Sequence, residues 1–223
     1  MRKRSILFIT SLLLALIPGT LISQSSETSL RASANVEMKI TKALKLEVAP
    51  EYRFNPGTGA SEYLLEAGLS YKVASWLSFG GYYRIDGAKT EDAEGSGSSS
   101  FTTSNRFAFD INTKVTLKRF TPKFRARFCN FTDFDSSTDD KTNYMRYRLG
   151  LDYNIKGSKL TPFASVELYQ KLSTGLFSQA RYTLGGEYEF NKKNALALSY
   201  SYSNKFKSEA RVHIFELTYK FKF

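Results

Sequence analysis

From Ser29 onward, apolar and polar side chains alternate along the chain in short runs. In LRASANVEMKI (residues 30–40) every second residue is apolar, and the residues between them are Arg, Ser, Asn, Glu and Lys. LKLEVAPEYRF (44–54) repeats the pattern. A period of two is the signature of β-strands, because successive side chains point to opposite faces of a sheet. The pattern therefore predicts an all-β protein.

Eleven such segments follow one another, each close to the 9–11 residues with which a tilted strand crosses a bilayer. The other nine are YLLEAGLSYKV, LSFGGYYRI, RFAFDINTKVTL, KFRARFCN, YMRYRLGLDY, LTPFASVELYQ, RYTLGGEYEF, ALALSYSY and HIFELTYKFKF. No linker interrupts the series, since GSGSSS (95–100) falls within a loop between two segments. We therefore predict a single domain.

The connections between the segments alternate in length. The short ones are 41–43, 74–75, 118–122, 154–159 and 191–194, and the longer, polar ones are 55–61, 86–103, 131–142, 171–178 and 203–209. Short turns at one end and long loops at the other predict an antiparallel up-and-down barrel that crosses a membrane.

Alternation alone does not tell which face of the sheet meets water, since a soluble lipocalin-like barrel alternates as well. Three observations favour a membrane barrel. Eleven strands enclose more space than an apolar filling occupies, the snug case being about eight strands. The polar face carries charges of both signs along nearly every strand. Many of the 18 Phe and 14 Tyr lie near strand ends, where lipid-facing barrels place their aromatic girdles.

Residues 1–23 have a different character. The basic RKR (2–4) precedes the short apolar run SILFITSLLLALI (5–17), which a Pro-Gly pair ends. This order indicates a secretory signal peptide, with a mature barrel domain over 24–223, although an uncleaved membrane helix is an alternative. Loss of the three basic residues lowers the net charge from +11 to +8. In an exported chain with its cations at alternating positions, that charge does not indicate nucleic acid.

The chain closes with FELTYKFKF (215–223). One face of this segment carries the large apolar residues Phe215, Leu217, Tyr219, Phe221 and Phe223. The spacing resembles the C-terminal signature of bacterial outer-membrane barrels, whose last strand is read by the barrel assembly machinery and then closes the barrel. The resemblance implies an integral protein of the bacterial outer membrane, with outer-membrane lipid and the assembly machinery as partners.

Three stretches extend the resemblance. LKLEVAPEYRF, TPFASVELYQ (161–170) and ARYTLGGEYEFNKKNALALSYSY (180–202) are similar to an uncharacterised family of outer-membrane barrels, domain-of-unknown-function family 2490. The likeness runs over most of the mature chain and rests on strand patterns with a few fixed Arg, Glu, Gly and Tyr. It implies a fold and supplies no catalytic residues.

The number of segments raises a question of topology. Bacterial single-chain barrels have even strand numbers, and eleven strands with a periplasmic C-terminus leave the N-terminus outside the cell. Either one strand is split or missed, or residues 24–29 thread back through the lumen. We expect 10 to 12 strands.

Charged residues on the polar face predict a cluster in the lumen. Its members are Arg125, Arg127, Arg146, Arg148, Asp110 and Glu167. The strand order places Glu167 near Arg146 and Asp110 near Arg127. Such a cluster either braces a narrow barrel with salt bridges or forms an anion-preferring constriction, since rings of Arg and Lys line anion pores. A large diffusion pore is not expected, because wide aqueous channels belong to barrels of 16–18 strands.

We expect no enzymatic activity, with an outer-membrane lipid-modifying enzyme as the alternative. Some outer-membrane barrels are lipid hydrolases with a Ser and a His on one strand. The single histidine, His213, has Phe215 two residues on, and Ser203 and Ser208 in the adjoining loop have no activating base. The lone Cys129, expected to face inward, rules out an internal disulfide.

The longer loops are acidic and the short turns are basic. DFDSSTDD (133–140) begins like an EF-hand loop, but Thr138 and Tyr144 stand where the Gly and Glu are needed, so no metal site and no cofactor are predicted. With TEDAEG (90–95), this loop leaves a surface docking platform as a further alternative. The sequence thus predicts a structural barrel or a narrow conduit for small solutes.

Overall fold

The computed structural model describes residues 26–91, 99–133, 142–206 and 210–223. The predicted signal peptide, residues 1–23, lies outside these ranges. No helix within them is long and apolar enough to span a membrane.

Within the described ranges the chain forms eleven strands, the number that the alternation predicts. They are β1 Ser26–Lys39, β2 Leu44–Phe54, β3 Ser61–Lys72, β4 Leu77–Glu91, β5 Ser99–Lys114, β6 Phe120–Asp133, β7 Thr142–Tyr153, β8 Leu160–Lys171, β9 Phe177–Glu189, β10 Asn194–Lys205 and β11 Arg211–Lys222. Each strand pairs with its neighbours in sequence, and β1 pairs with β11, so the sheet closes into a barrel. The predicted fold class is confirmed.

The closing pair differs from the others. Ten pairs are antiparallel, whereas β1 and β11 run parallel, from Ser26↔Arg211 to Glu37↔Lys222. An up-and-down barrel with an odd number of strands must have this arrangement, because its first and last strands run in the same direction. The expectation of a wholly antiparallel sheet is wrong at this pair alone. Residues 26–29 form part of the barrel wall and do not thread through the lumen.

The two ends of the barrel carry different connections. The turn end has connections at 40–43, 73–76, 115–119, 154–159 and 190–193. The loop end has connections at 55–60, 92–98, 134–141, 172–176 and 206–210. Loop-end connections are shorter than predicted, because the strands extend into them: β4 continues to Glu91, and β5 begins at Ser99. Polar residues such as Thr102 and Thr103 therefore pair in the ladder.

The apolar face of the sheet points outward. At the middle of the wall Phe109, Leu149, Leu184 and Leu198 are 60–65% exposed, while inward-facing charged and hydroxyl side chains are buried. A soluble barrel has the opposite arrangement, with apolar side chains inside. The outward apolar face is therefore the arrangement of membrane-spanning barrels rather than that of soluble barrels.

Aromatic residues collect near both rims of this outer surface. Tyr52, Tyr63, Phe101 and Phe177 lie towards the loop end, and Tyr71, Trp76, Phe120, Tyr188 and Phe190 lie towards the turn end. Between them the exposed residues are mainly Leu, Ile and Phe. This order of side chains matches the apolar band and aromatic girdles of membrane-spanning barrels.

Candidate functional site

The six predicted lumen residues all point into the barrel. Asp110 lies on β5, Arg125 and Arg127 on β6, Arg146 and Arg148 on β7, and Glu167 on β8. The ladder sets Arg127 directly between Asp110 and Arg146, and Arg148 directly between Arg125 and Glu167. The strand register therefore brings all six together on one wall.

Arg127 forms ion pairs with two carboxylates, one on the neighbouring strand and one three strands away. Its Nε and Nη2 atoms donate to Oδ1 and Oδ2 of Asp110 at 2.6 and 2.8 Å, a bidentate pair. Its Nη1 atom lies 3.3 Å from Oε1 of Glu66 on β3. Arg127, Asp110 and Glu66 are each less than 10% exposed. Paired, hydrogen-bonded charges of this kind are the form in which buried ions are tolerated.

Glu167 forms a second centre. Its Oε1 accepts from Nη2 of Arg125 at 2.7 Å, and its Oε2 accepts from Nη2 of Arg146 at 2.9 Å. The hydroxyl of Tyr169 also donates to Oε2, at 3.0 Å. Arg148, the direct ladder neighbour of Glu167, instead donates to Oγ of Ser165 at 3.1 Å. Both oxygens of Glu167 are thus occupied.

Sequence reasoning missed several members of the cluster. Glu66 accepts from Arg84 on the neighbouring strand at 3.0 Å, and Arg106 lies 3.9 Å from the same carboxylate. Asp86 lies 3.9 Å from Arg84. All four occupy inward positions in the alternation of β3, β4 and β5, so the sequence carries the signal for their direction. It carries no signal for contacts between strands that are not neighbours.

We call this set the central charge cluster. Its described members are the arginines Arg84, Arg106, Arg125, Arg127, Arg146, Arg148 and Arg181, and the carboxylates Glu66, Asp86, Asp110 and Glu167. Seven positive charges less four negative charges leave an excess of three. This part of the lumen is therefore electropositive.

Two tyrosines support the guanidinium groups. Arg127 lies over the ring of Tyr82, 4.9 Å from its centroid, and the Tyr82 hydroxyl donates to Glu47 at 3.1 Å. Arg146 and Arg181 both lie over Tyr169, at 4.7 and 5.4 Å. Such contacts between a cation and an aromatic face are attractive, more so where water is excluded.

The opposite wall of the lumen carries small side chains. We call it the small-residue wall; its members are Ser33, Thr183, Ala195, Ala197, Ser199, Ser201, Ser203 and Thr218. Thr183 and Ser201 hydrogen bond at 2.8 Å, and Ser33 donates to Thr218 at 2.9 Å. Since these side chains are short, they project little into the lumen. Six of the seven arginines of the central charge cluster lie on the other side, on β4 to β7, and the seventh, Arg181, lies on β9 beside Ser203.

The outer face of β10 and β11 gives no serine–histidine pair. Nδ1 of His213 lies 2.8 Å from the hydroxyl of Tyr200 on the outer surface. Ser203 belongs to β10 rather than to a loop; it faces the lumen, is 1% exposed and accepts from Gln179. His213 and Ser203 thus lie on opposite faces of the wall. Ser208 lies outside the described residues.

Other candidate groups fall as follows. Cys129 faces the lumen and is 2% exposed. Among the side chains that the structure describes, no three of His, Cys, Asp and Glu come together as a metal site. The acidic tips at 92–98 and 134–141, on which the docking alternative depends, lie outside the described residues.

The predicted C-terminal assembly signal lies on β11, which completes the barrel between β10 and β1. The outer surface of this strand exposes Phe215, Leu217, Tyr219 and Phe223. Phe221 is half-buried and packs edge to face against Phe223, with 4.4 Å between the ring centroids. Recognition of these residues by assembly machinery stays a prediction.

A family model described as "Protein of unknown function (DUF2490)" matches residues 29–213, from the first strand to the last. The chain belongs to the DUF2490 family. The family resemblance stated from three sequence stretches is confirmed, and the match spans nearly all of the barrel wall. No curated protein matches the sequence.

Several solved barrels are similar to this DUF2490 protein at low identity. The beta domain of the Bordetella autotransporter Brka is 14% identical, over 74% of this chain and 78% of that chain, with a TM-score of 0.49. LpxR from Salmonella typhimurium is 11% identical, over 80% and 83%, with a TM-score of 0.49. An anion-selective porin from Comamonas acidovorans is 12% identical, over 81% and 54%, with a TM-score of 0.38.

Proposed function

We propose that this protein is an integral outer-membrane barrel and a narrow conduit for small anions. The path runs along the small-residue wall and past the central charge cluster. The observation that carries the proposal is the contrast between these two walls, one lined by short hydroxyl and methyl groups and the other by an excess of guanidinium groups.

The outer surface supports the membrane location. Exposed Leu, Ile and Phe side chains cover the middle of the wall, and aromatic side chains border them towards both rims. Contact of this apolar surface with water costs roughly 25 cal/mol of free energy per Å², and contact with the hydrocarbon of a bilayer removes that cost. In a lipid bilayer the outward apolar face contacts hydrocarbon, while the inward polar face lines the lumen, so each face of the sheet lies in a favourable environment.

The charge of the lumen supports selectivity for anions. The central charge cluster has seven arginines and four carboxylates, so three positive charges are not neutralised within it. Constrictions lined by arginine favour anions. The carboxylates are held by ion pairs, as Glu167 is by Arg125 and Arg146. A cation that enters therefore meets net repulsion, and an anion meets net attraction.

The size of the conduit follows from the same contacts. The pair Arg127–Glu66 joins β6 to β3, and the pair Arg125–Glu167 joins β6 to β8, so side chains occupy the lumen next to these strands. The barrel is also much smaller than the porins with wide aqueous channels. The expected conductance is accordingly small, and large solutes are excluded.

Conductance of the refolded protein in a planar bilayer tests the proposal. We expect discrete small steps, and under a salt gradient a reversal potential of the sign that indicates anion preference. Arg148 donates to a hydroxyl group and forms no ion pair among the described residues, and its replacement by Gln is expected to reduce that preference. A silent bilayer, with protein that is folded by its gel mobility before and after boiling, would overturn the conduit and leave a structural barrel.

Neighbouring positions on β10 provide a matched control for the path. In a Cys129→Ser background, Ser199→Cys places a thiol on the small-residue wall, and Leu198→Cys places one on the outer surface. A charged methanethiosulfonate reagent is expected to reduce the current of the Ser199→Cys protein and to leave that of the Leu198→Cys protein unchanged. Equal responses would contradict the proposed path.

A further inference from the structure

A cavity of about 250 Å³ opens at the loop end of the barrel. Its charged lining comprises Glu27, Arg31, Arg53, Glu62, Arg181 and Lys205. Ser29, Gln179 and Ser203 add hydroxyl and amide groups. The cavity thus combines four cations, two carboxylates and several neutral donors in a space large enough for a ligand of a few heavy atoms.

Arg181 is the one arginine of the central charge cluster that borders this cavity. Its direct neighbours in the ladder are Glu167 on β8 and Ser203 on β10. Glu167 could neutralise it, but both Glu167 oxygens are taken by Arg125, Arg146 and Tyr169. Among the described residues no carboxylate forms an ion pair with Arg181, and its buried Nε atom has no hydrogen-bond partner. A buried donor without a partner is costly, so the position favours an external acceptor.

Arg31, on β1, is also incompletely neutralised. Its Nη1 lies 3.5 Å from Oε1 of Glu51, but the same oxygen accepts from Nε of Arg53 at 2.7 Å. Arg53 further binds Glu62 at 3.0 Å. The positive charges of Arg53 and Arg181 act on Arg31, as do the negative charges of Glu51 and of Glu216, its ladder neighbour on β11, whose Oε1 accepts from Ser33 and Thr218. Two guanidinium groups on the cavity wall, Arg31 and Arg181, therefore repel each other where an anion between them would be attracted to both.

We propose that this cavity is a binding site for a small anion, held by Arg31 and Arg181. The ligand carries a single carboxylate or phosphate group, because guanidinium donors match the geometry of both groups and can engage them with two parallel hydrogen bonds. Glu27 and Glu62 on the same wall disfavour larger polyanions. The site needs no open lumen, so it goes beyond the proposed conduit and stands or falls separately.

Isothermal titration of the refolded protein in detergent tests the site, with sodium acetate and inorganic phosphate as separate probes at constant ionic strength. We expect saturable binding of at least one probe to the wild-type protein. Stronger binding of acetate indicates an organic carboxylate as the ligand, and stronger binding of phosphate indicates a phosphate group. Saturable binding of neither anion would overturn the proposal.

Variants assign the binding to the two arginines. Arg181→Gln and Arg31→Gln are each expected to weaken binding at least tenfold, and Arg181→Lys is expected to weaken it less, since it keeps the charge and loses the fork. Arg211→Gln, on the outer surface of the same end, is the matched control and should bind as the wild type does. Gel mobility before and after boiling reports whether each variant is folded. Unchanged affinity in folded Arg181→Gln would overturn the assignment.

The experiments distinguish failure of the anion-site proposal from failure of the conduit proposal. If the planar bilayer is silent but acetate or phosphate binds and Arg181→Gln abolishes binding, the anion site holds without the conduit. If the protein conducts but neither probe saturates, the conduit holds without the site.

Discussion

Arg127 on β6 lies 3.3 Å from Glu66 on β3, although two complete strands separate them in the barrel wall. The ion pair therefore spans part of the lumen. Asp110, on the strand next to β6, binds the same guanidinium with two hydrogen bonds. Closure of the barrel brings β3 and β6 near enough for this contact, and the contact in turn fixes the curvature of the wall between them.

Arg127→Gln is expected to lower the free energy of unfolding by about 3–5 kcal/mol, the range for removal of one partner from a buried ion pair. The substitution leaves Asp110 without its bidentate donor and Glu66 with fewer cations. Urea unfolding in lipid vesicles, followed by the fluorescence of the single Trp76, measures the change.

Two further variants make the comparison specific. Lys39→Gln at the exposed turn end should change stability by no more than about 0.5 kcal/mol, as surface substitutions usually do. The double variant Glu66→Gln with Arg127→Gln should cost less than the sum of the single variants, because the two residues are in contact. Additive effects would show that the ion pair between Glu66 and Arg127 contributes nothing to the free energy of unfolding.

Gly68→Ala is expected to destabilise the barrel, whereas Gly81→Ala is not. A Cβ atom on Gly68 would overlap the ring of Tyr82 and the carbonyl oxygen of Gly81, while a Cβ atom on Gly81 meets nothing closer than the Phe109 ring at 3.8 Å. Overpacking of this kind costs about 1–3 kcal/mol. Because Tyr82 also supports Arg127, the urea midpoint of the Gly68 variant should fall. Equal midpoints for the two alanine variants would contradict the packing argument.

Strand positions and facing were predictable from the sequence because each side chain's direction follows from its neighbours. Phe109 points outward and Asp110 points into the lumen because successive side chains of a strand point to opposite faces. The approach of Arg127 to Asp110 also follows, since neighbouring strands joined in sequence have a register that the alternation constrains.

Contacts between side chains on strands that are not neighbours depend on how the barrel closes and how its wall curves. The alternation of apolar and polar residues does not determine either. Glu66 contacts Arg127 only because the wall curves across the two strands between them. Arg181 lies beside a Glu167 whose oxygens are already occupied, and that depends on how far the neighbouring arginines reach. The strand ends were misjudged for a different reason. Polar residues such as Thr102 look like loop residues, yet they lie within β5, where hydrogen bonds to β4 outweigh their local preference.

Cys129 serves as a built-in reporter of folding. It faces the lumen at 2% exposure and is the single cysteine of the chain. A charged maleimide should therefore label the folded protein at least about tenfold more slowly than the protein boiled in SDS, since the opening that exposes a buried group is rare. Mass spectrometry gives the labelled fraction over time. Rapid labelling of protein that retains its folded gel mobility would show that Cys129 is accessible and that the lumen beside Arg127 is wider than the contacts indicate.

Leu198→Arg tests whether the outer surface meets lipid. Leu198 is 64% exposed and lies near the middle of β10, where an arginine in a bilayer costs about 2–4 kcal/mol. Leu160→Arg, at the first residue of β8 near the turn end, is the matched control, for which the expected cost is about 0–1 kcal/mol. Unfolding in lipid vesicles should separate the two variants by about 2 kcal/mol or more. In a surrounding of water neither arginine would be penalised, because both replace exposed leucines. Equal and small costs in the two variants would contradict a membrane-spanning barrel, whereas a penalty confined to position 198 would locate the hydrocarbon core at the middle of the strands.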